Sequence, residues 1–284
     1  ENIGGFETKV SATFNGAARD LITWSDNDQF KRAAFGTSKM LYEHNGDQIF
    51  DITPVSASVT LASAFSCAIS SNTVTVSATA HGRTTGDFVF FTSSTTIGGN
   101  ILLGTTTYPV SVINANTFAL SVVTTASAAQ SSAGGGTIHY LLANGVDAAA
   151  TGLGYGAGSY NAGVSVEDAR GWNSPTSIGA SDFASQIAQW SLDNWGEDVV
   201  ANRRGSSIYF FDTDASTSPT RATLVSGATN STPTTVNSII VSPNDRHLVC
   251  LGTNQFNTTA DPNGTFEPML VKWSNQEDFT NWVP

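Results

Sequence analysis

Three stretches of the chain repeat one plan, and this repeat constrains the fold more than any other feature. The stretches lie within residues 24–42, 192–211 and 242–273, and each starts with a polar turn rich in Asp and Asn. A short apolar segment ending in Gly or Asn follows, and a second apolar segment carries an aromatic residue near its end. Turn residues that tolerate unusual φ and ψ, beside β-branched and aromatic residues, predict a β-hairpin in each stretch.

Repeated hairpins of this size favour the blades of a β-propeller. Pro54 and Pro284 close the first and third stretches, and Pro marks a strand exit because it cannot donate a hydrogen bond to the ladder. The sequence therefore predicts an all-β fold that contains a partial β-propeller-like domain of antiparallel sheets. A β-sandwich with similar hairpins is the alternative that the repeat leaves open.

Composition changes between the first and second stretches. Residues 55–136 contain almost no charge and much Ser, Thr, Ala and Val. Alternating runs predict four strands there, at 72–77, 87–92, 107–113 and 117–122. We expect an inserted small all-β barrel or sandwich at 55–136, in which Ser131–Gly136 is a flexible return to the host. The propeller-like host domain then has its first part at 1–54 and its second part at 137–284.

The charge of the chain disfavours two classes of partner. The formal net charge is −11, and the 12 basic residues are scattered along the sequence. A protein that grips nucleic acid neutralises phosphates with clustered Lys and Arg, which this chain lacks. An acidic surface also repels an anionic membrane.

The cysteines and the termini give weaker indications. Cys67 and Cys250 lie in apolar or small-residue surroundings, which favours buried thiols over a disulfide. No apolar run approaches the length of a membrane span, and no signal peptide is visible. The chain starts at Glu1 without Met and stops directly after a strand-like run, so we expect it to be cut from a longer polypeptide.

Acidic pairs near Trp are the strongest candidates for catalysis. They are Glu167-Asp168, Glu197-Asp198 and Glu277-Asp278. A glycosidase needs two carboxylates that face each other across a cleft, and sequence alone allows any two of these pairs to converge. However, each pair lies in a predicted turn of the repeated plan, and repetition favours a structural turn over a single active site. We therefore predict no catalytic residue.

Metal and cofactor sites receive little support. No two of the four His lie close together in sequence, whereas zinc ligands have short characteristic spacings. Asp26-Asn27-Asp28 and Asp212-Thr213-Asp214 alternate oxygen ligands, but neither continues into an EF-hand-like loop. We predict solvated turns with no metal and no cofactor, and Ca²⁺ in these turns stays an open question.

A glycine-rich loop and a double arginine are the candidate interaction residues. Five of the twelve residues of Gly152–Gly163 are Gly, so its backbone can approach another surface closely. A nucleotide loop is disfavoured because no Lys-Ser/Thr follows it and no apolar strand precedes it. The interface candidates are Tyr155 and Tyr160 of this loop, and Arg203 and Arg204, which we place at the tip of the second hairpin.

Several segments resemble the tail nozzle proteins of short-tailed bacteriophages, also called tail tubular protein B or tail hub proteins. They lie in both parts of the predicted host domain, in the order of that family. The segments are Ala34–Thr37, Leu41-Tyr42, Asp51–Pro54, Gly154–Gly158, Trp190–Asp198 with Gly205–Tyr209, Ile240–Thr253, and Pro268-Met269 with Lys272–Pro284.

The inserted region is similar to a different module, a small β domain found in many phage tail and baseplate proteins. That module resembles the first catalytic cysteine half-domain of ubiquitin-activating enzymes. The similar residues are Thr73–Val76, Ala80–Gly82, Thr85–Val89, Tyr108–Val110 and Asn114–Phe118. Cys67 lies outside the matching positions, so no chemistry transfers to it.

The resemblance implies a virion structural protein of the phage tail rather than an enzyme. Its fold would form a ring homo-oligomer, usually a hexamer, below the portal and adaptor, with a central channel for DNA ejection. The implied partners are further copies of the chain, portal-adaptor proteins and tail fibres or spikes, with non-specific passage of double-stranded DNA and no small-molecule substrate.

The chain departs from the nozzle family in length, since nozzles are usually much longer and this chain would hold only part of a propeller. Two other functions stay open. One is a glycan-binding or glycan-cleaving β-propeller, which requires paired carboxylates beside an exposed Trp in a concave pocket. The other is a tail-fibre adhesin module, for which intertwined trimers are expected.

Overall fold

The computed structural model describes residues 13–104, 106–143, 189–214, 221–226, 232–255 and 264–282. The chain separates into two compact units. Residues 1–52 and 144–284 form one, called here the three-sheet unit, and Thr53–Ala143 forms the other, called the barrel unit. Every regular element within the described ranges is a β-strand, which confirms the all-β prediction. None of these ranges contains a helix long and apolar enough to cross a membrane.

The first sheet of the three-sheet unit is an antiparallel meander, in which strand order follows the chain. Phe35 and Tyr42 form an aromatic pair on one face of this sheet, with ring centroids 5.3 Å apart. The strands are β1 (Ala18–Ser25), β2 (Lys31–Thr37), β3 (Leu41–His44) and β4 (Ile49–Asp51).

The barrel unit contains a closed barrel of six strands in the order β10-β11-β6-β5-β12-β7, with a separate β8-β9 ribbon. Its strands are β5 (Val55–Cys67), β6 (Thr73–Ser77), β7 (Phe88–Phe91), β8 (Thr95–Ile97), β9 (Ile101–Leu103), β10 (Tyr108–Asn114), β11 (Thr117–Ser121) and β12 (Gln130–Leu141). The four strands predicted in this region are β6, β7, β10 and β11, and all four are confirmed. Alternate residues such as Val74, Val76, Phe118 and Leu120 point into a fully buried core.

Strand β12 corrects the prediction of a flexible return at Ser131–Gly136. These residues belong to β12, which pairs with β5 on one edge and β7 on the other. The glycines serve bulges in the β5–β12 ladder, and a Cβ on Gly135 would lie 2.5 Å from the Leu61 carbonyl oxygen. The barrel unit accordingly runs to Ala143, whereas the predicted insertion stopped at residue 136.

The described residues of the three-sheet unit contain two further antiparallel meanders. The second sheet has the order β13-β14-β15-β16, and the third has the order β17-β18-β19. The second sheet comprises β13 (Trp190–Trp195), β14 (Asp198–Arg203), β15 (Ile208–Phe211) and β16 (Thr223–Leu224). The third comprises β17 (Val236–Val241), β18 (Leu248–Asn254) and β19 (Phe266–Trp273).

The second stretch of the repeated plan was predicted to start with a turn at residues 192–197, and this was wrong. Most of that segment is strand β13, and the turn is the short Gly196-Glu197 connection. The polar residues Asp193 and Asn194 are compatible with a strand because their side chains bond to backbone. Asp193 Oδ2 accepts the Val241 amide at 2.6 Å, and Asn194 Nδ2 donates to the Asp198 carbonyl at 3.2 Å.

The three sheets stack through equivalent joints. The Leu192 amide in β13 donates to Oδ2 of Asp20 in β1 at 2.9 Å, and the Ile239 amide in β17 donates to Oγ of Ser191 in β13 at 3.1 Å. We call the face of a sheet that carries the acceptor side chain its forward face, because it meets the next sheet along the chain. The opposite face is the rear face.

Aligning the sheets by these joints places their cross-strand rows in register. The rear-face rows are Leu21-Phe35-Tyr42, Leu192-Ala201-Tyr209 and Ile239-Cys250-Lys272. The forward-face rows are Ile22-Ala34-Glu43, Asp193-Val200-Phe210 and Ile240-Val249-Trp273. The same pattern of cross-strand rows therefore occurs in three sheets, and the same joint connects each sheet to the next, as consecutive blades of a propeller-like arrangement would require.

Candidate functional site

Two tryptophans near the candidate acids hold the first and second sheets together. Trp24 Nε1 donates to the Glu197 carbonyl at 2.6 Å, and Trp190 Nε1 donates to the Thr37 carbonyl at 2.9 Å. Both indoles are buried, and Trp190 lies directly against Gly36. Trp190 therefore packs between the two sheets, and neither ring is an exposed platform for a sugar.

A buried ionic cluster on the first sheet escaped the sequence interpretation. Arg32 Nε contacts Asp26 Oδ2 at 2.7 Å, and Arg32 Nη1 contacts Glu43 Oε1 at 2.6 Å. Both carboxylates are buried. A charged residue within the apolar strands β2 and β3 was the available signal, but the partner of each charge depends on strand register.

Electrostatics show that this cluster is a structural one. Burial opposes ionisation of Asp26, but the hydrogen bond and charge of Arg32, with the Phe30 amide, hold the pKa of this carboxyl below its ordinary value. Burial also opposes the charge of Arg32, and the two carboxylates outweigh it and raise the pKa of the guanidinium. A carboxylate that stays ionised and paired in this way is a poor general acid.

The Glu197-Asp198 pair is also occupied by structural contacts. Asp198 Oδ1 accepts the Thr213 amide at 2.8 Å, and the Glu197 carbonyl accepts the Thr213 hydroxyl at 2.9 Å. Burial raises the pKa of the Asp198 carboxyl, and the charges of Asp212 and Glu197 raise it further against the Thr213 hydrogen bond. The pair ties the turn after β13 to the end of β15.

The other acidic candidates divide between turns and the undescribed part of the chain. Asp278 Oδ1 accepts the Thr280 amide at 2.9 Å and the Thr280 hydroxyl at 2.6 Å, which lowers the pKa of this carboxyl. Asp212 Oδ1 accepts the Asp214 amide at 3.0 Å, as in a self-capped turn. Glu167-Asp168 lies outside the described residues. Within the described ranges, no group of three His, Cys, Asp or Glu side chains converges as a metal site.

The predicted interface residues are only partly visible. Tyr155 and Tyr160 lie outside the described residues. Arg203 ends β14, and Arg204 lies in the turn before β15, where its amide donates to the Gln189 carbonyl at 2.9 Å. Arg204 is therefore at the predicted hairpin tip, while its role in an interface stays a prediction.

The cysteines and two histidines have structural surroundings. Both cysteines are free thiols: Cys250 is buried, while Cys67 is only half-buried. Burial raises the pKa of the Cys250 thiol, which makes it unreactive. His81 Nε2 lies 2.8 Å from the Asn114 carbonyl. His139 stacks on Phe90, and its ring nitrogens lie within hydrogen-bond distance of two hydroxyls.

Two open depressions in the described surface lack the chemistry of a glycosidase. One, of about 510 Å³, lies on the rear face of the first sheet along the row Thr23-Ala33-His44. The other, of about 560 Å³, lies on the barrel unit beside Cys67 and Gln130. Neither depression is lined by a carboxylate, so neither holds the acid pair that glycoside hydrolysis needs.

Comparisons with known proteins add a distant structural similarity. No family model matches the chain, and no curated protein matches it. Among solved structures the chain is similar to the phage phi92 endosialidase, at 14% sequence identity and a TM-score of 0.27. The match covers 93% of this chain but only 37% of that one. A similarity this weak carries no argument about the function of this chain.

A second feature that the sequence interpretation missed is an apolar surface on the third sheet. The forward face of the third sheet exposes Ile240, Leu251, Val271 and Trp273 together, although the matching faces of the first two sheets are packed. Their alternation with buried residues was visible in the sequence, but only the register of the three sheets shows which face is left open.

Proposed function

We propose that this chain is a structural component of a bacteriophage tail, and that it forms part of a ring-shaped nozzle or hub through which DNA leaves. One observation carries the proposal. The segments that resemble nozzle proteins, among them Trp190–Asp198 and Ile240–Thr253, occupy matching places in successive sheets that stack by one repeated joint. Repeated sheets of this kind can form the wall of a ring-shaped channel.

Charge supports the conduit. The three-sheet unit contains 22 acidic and 11 basic residues, and therefore the whole net charge of −11. Each cation that contacts a phosphate would hold the duplex and slow its exit, so a channel should repel the DNA backbone. The proposal therefore includes a channel lining that is net acidic and hydrated.

Electron microscopy of the purified chain, and of virions that contain it, tests the ring. The proposal expects a closed ring on the tail axis with an acidic channel lining. Intertwined trimers would instead favour an adhesin module. A channel lined by stacked Lys and Arg would overturn the proposed repulsion of DNA.

We assign the barrel unit to the attachment of outer tail components. Its two ends are close enough in space for a deletion variant to be joined by a short linker. The Leu142 amide donates to the Pro54 carbonyl at 2.8 Å, so the two ends of the insertion lie side by side. A variant in which a short Gly-Ser linker replaces residues 55–141 should keep the tryptophan fluorescence of the three-sheet unit. It should fail to retain fibres or spikes in virions, and normal retention of these parts would contradict the assignment.

A glycan-cleaving function has no comparable support. The carboxylates of Asp198 and Asp278 are engaged in turn hydrogen bonds, and Asp26 and Glu43 share Arg32. Incubation of the chain with a panel of oligosaccharides, followed by reducing-end detection, provides the check. Hydrolysis would contradict the structural role that we propose.

A further inference from the structure

The forward face of the third sheet is built for burial, although it is exposed among the described residues. Trp273 is 57% exposed, Ile240 52% and Val271 47%. The residues in register with Val271 are Leu41 on the first sheet and Ile208 on the second, and both are fully buried. A contiguous apolar face of this kind on a soluble protein marks an interaction surface.

The nature of its partner follows from the joint between the second and third sheets. There the forward face of the second sheet, with Val200, Ile208 and Phe210, packs against the rear-face residues Ile239 and Leu248 of the third. Trp273 has the register position of Phe210, and Val271 has that of Ile208. The forward face of the third sheet therefore resembles the forward face of the second sheet in this joint. The surface that would complement it is the rear face of a similar sheet.

The rear face of the first sheet supplies such a complement. Leu21 is in register with Leu192 and Ile239, which pack within the chain, yet Leu21 is 63% exposed. Tyr42 is in register with Tyr209, and both are buried. Among the described residues, the row of three sheets thus has an open forward face on one side. On the other side the rear face is open at Leu21 and Thr23, whereas Phe14 packs on Phe35 and Tyr42.

The shapes of the two faces also match. In the joint within the chain, Phe210 belongs to the same cluster as Val241 and Leu248. The first sheet has the smaller residues Thr23 and Ala33 at those two positions, and they line the depression of about 510 Å³. A smaller lining leaves room for a larger aromatic side chain, and Trp273 is the larger counterpart of Phe210.

We propose that the forward face of the third sheet binds the rear face of the first sheet of a second copy of this chain, with Trp273 inserted beside Ala33 and Leu21. The contact is head to tail, so copies joined in this way close into a ring or continue as a filament. It requires only two copies of the chain and does not depend on a role in a phage tail.

Sedimentation of the purified 284-residue chain over a range of concentrations tests the contact. We expect the wild type to self-associate, and Trp273→Asp or Leu21→Lys to weaken the association at least about tenfold, as for a buried anchor residue. Ile113→Asp is the matched control because Ile113 is also exposed, at 58%, but lies on the barrel unit. It should leave the association unchanged.

Mixing the two variants distinguishes this contact from others. Trp273→Asp leaves the rear face of the first sheet unchanged, and Leu21→Lys leaves the forward face of the third sheet unchanged. The two unchanged faces can bind each other in a mixture, which should therefore recover association that neither variant shows alone. Milder variants, Trp273→Ser and Ala33→Phe, give the same comparison if either charged variant fails to fold. A wild type that stays monomeric, a Leu21→Lys variant that associates normally, or a mixture without recovery would overturn the proposal.

Discussion

The two units of this chain complete their sheets in different ways. The barrel unit closes on itself, because β7 pairs with both β10 and β12 and no edge of the six-stranded barrel is left open. The three-sheet unit stacks separate meanders face to face, so each added sheet covers one face and exposes another. Closure through hydrogen bonds produces a self-sufficient module, whereas stacking produces a unit that can be extended.

The two units also differ in their content of charged residues. The barrel unit contains one acidic residue, Asp87, and one basic residue, Arg83, so it depends on a large apolar core. The first sheet of the other unit buries the Arg32 cluster, while a large apolar cluster fills the joint between its second and third sheets. All six Trp lie outside residues 53–143, so tryptophan fluorescence reports the three-sheet unit alone. This allows the two units to be compared in one sample.

The largest expected effect is in the barrel core. Phe118 is fully buried, and Phe118→Ala should lower the free energy of unfolding of the barrel by about 3–5 kcal/mol because it leaves a cavity. In urea, far-UV circular dichroism should then show an early transition while the tryptophan fluorescence transition stays in place. Val123→Ala, at a fully exposed position, is the control and should have almost no effect. A matching shift of the fluorescence transition would show that the units do not unfold independently.

Removal of Arg32 should have the largest effect on the three-sheet unit. Arg32→Ala leaves Asp26 and Glu43 buried without their partner, which should cost about 3 kcal/mol in the tryptophan-detected unfolding. The neighbouring Lys31→Ala is the control. Lys31 is exposed, and its ammonium group donates to the Ser25 hydroxyl. Equal losses in the two variants would show that the buried cluster has no special role.

Acid unfolding should report the same cluster. The pKa of Asp26 is lower in the folded chain than its ordinary value of 3.8. The stability from this carboxylate is therefore complete above pH 3.8 and is lost as the pH falls through the lower folded value. In Arg32→Ala this part of the acid dependence should shrink. Unfolding curves of the two proteins with the same slope below pH 3.8 would contradict this assignment.

A smaller effect is expected at the joint between the first two sheets. Gly36 lies against the Trp190 ring, and an added Cβ would overlap it, so Gly36→Ala should destabilise the three-sheet unit by about 1–3 kcal/mol. The cause is specific to one contact. Gly36→Ala introduced into a Trp190→Ala background should therefore cost much less, and additive losses in this double-mutant cycle would exclude the overlap as the cause.

The smallest expected effect is a gain in stability at Asp198. Its folded pKa is raised, so stability falls as the pH rises through that value and the buried carboxylate becomes charged. At pH 7, Asp198→Asn should raise the free energy of unfolding by less than about 1 kcal/mol, which a slightly higher melting temperature would show. The difference should vanish near pH 3.8. A destabilised variant at pH 7 would mean that the Thr213 hydrogen bond needs the charge.

Much of the local structure could be predicted from the sequence. Strands β6, β10 and β11 largely alternate apolar and polar residues between turns, and β7 is a short apolar run bounded by polar residues. Such patterns depend only on near neighbours. Strand β12 was missed because its glycines are typical of a loop until β5 and β7 are present on both sides. Strand β13 was missed because Asp193 and Asn194 are typical of a turn until neighbouring strands are present. The Val241 amide of the third sheet donates to Asp193 Oδ2, and Asn194 Nδ2 donates to the Asp198 carbonyl of β14.

The sequence by itself determined that this chain is all-β, that it repeats one sheet-forming plan, and that it contains a nearly uncharged insertion. These properties follow from residue type and periodicity, which act over a few positions. Only the tertiary structure decided which strands pair, which charges are buried together around Arg32, and which apolar faces are covered. Those outcomes depend on register between distant segments, and a shift of one residue would move Trp273 from the open face to the opposite one.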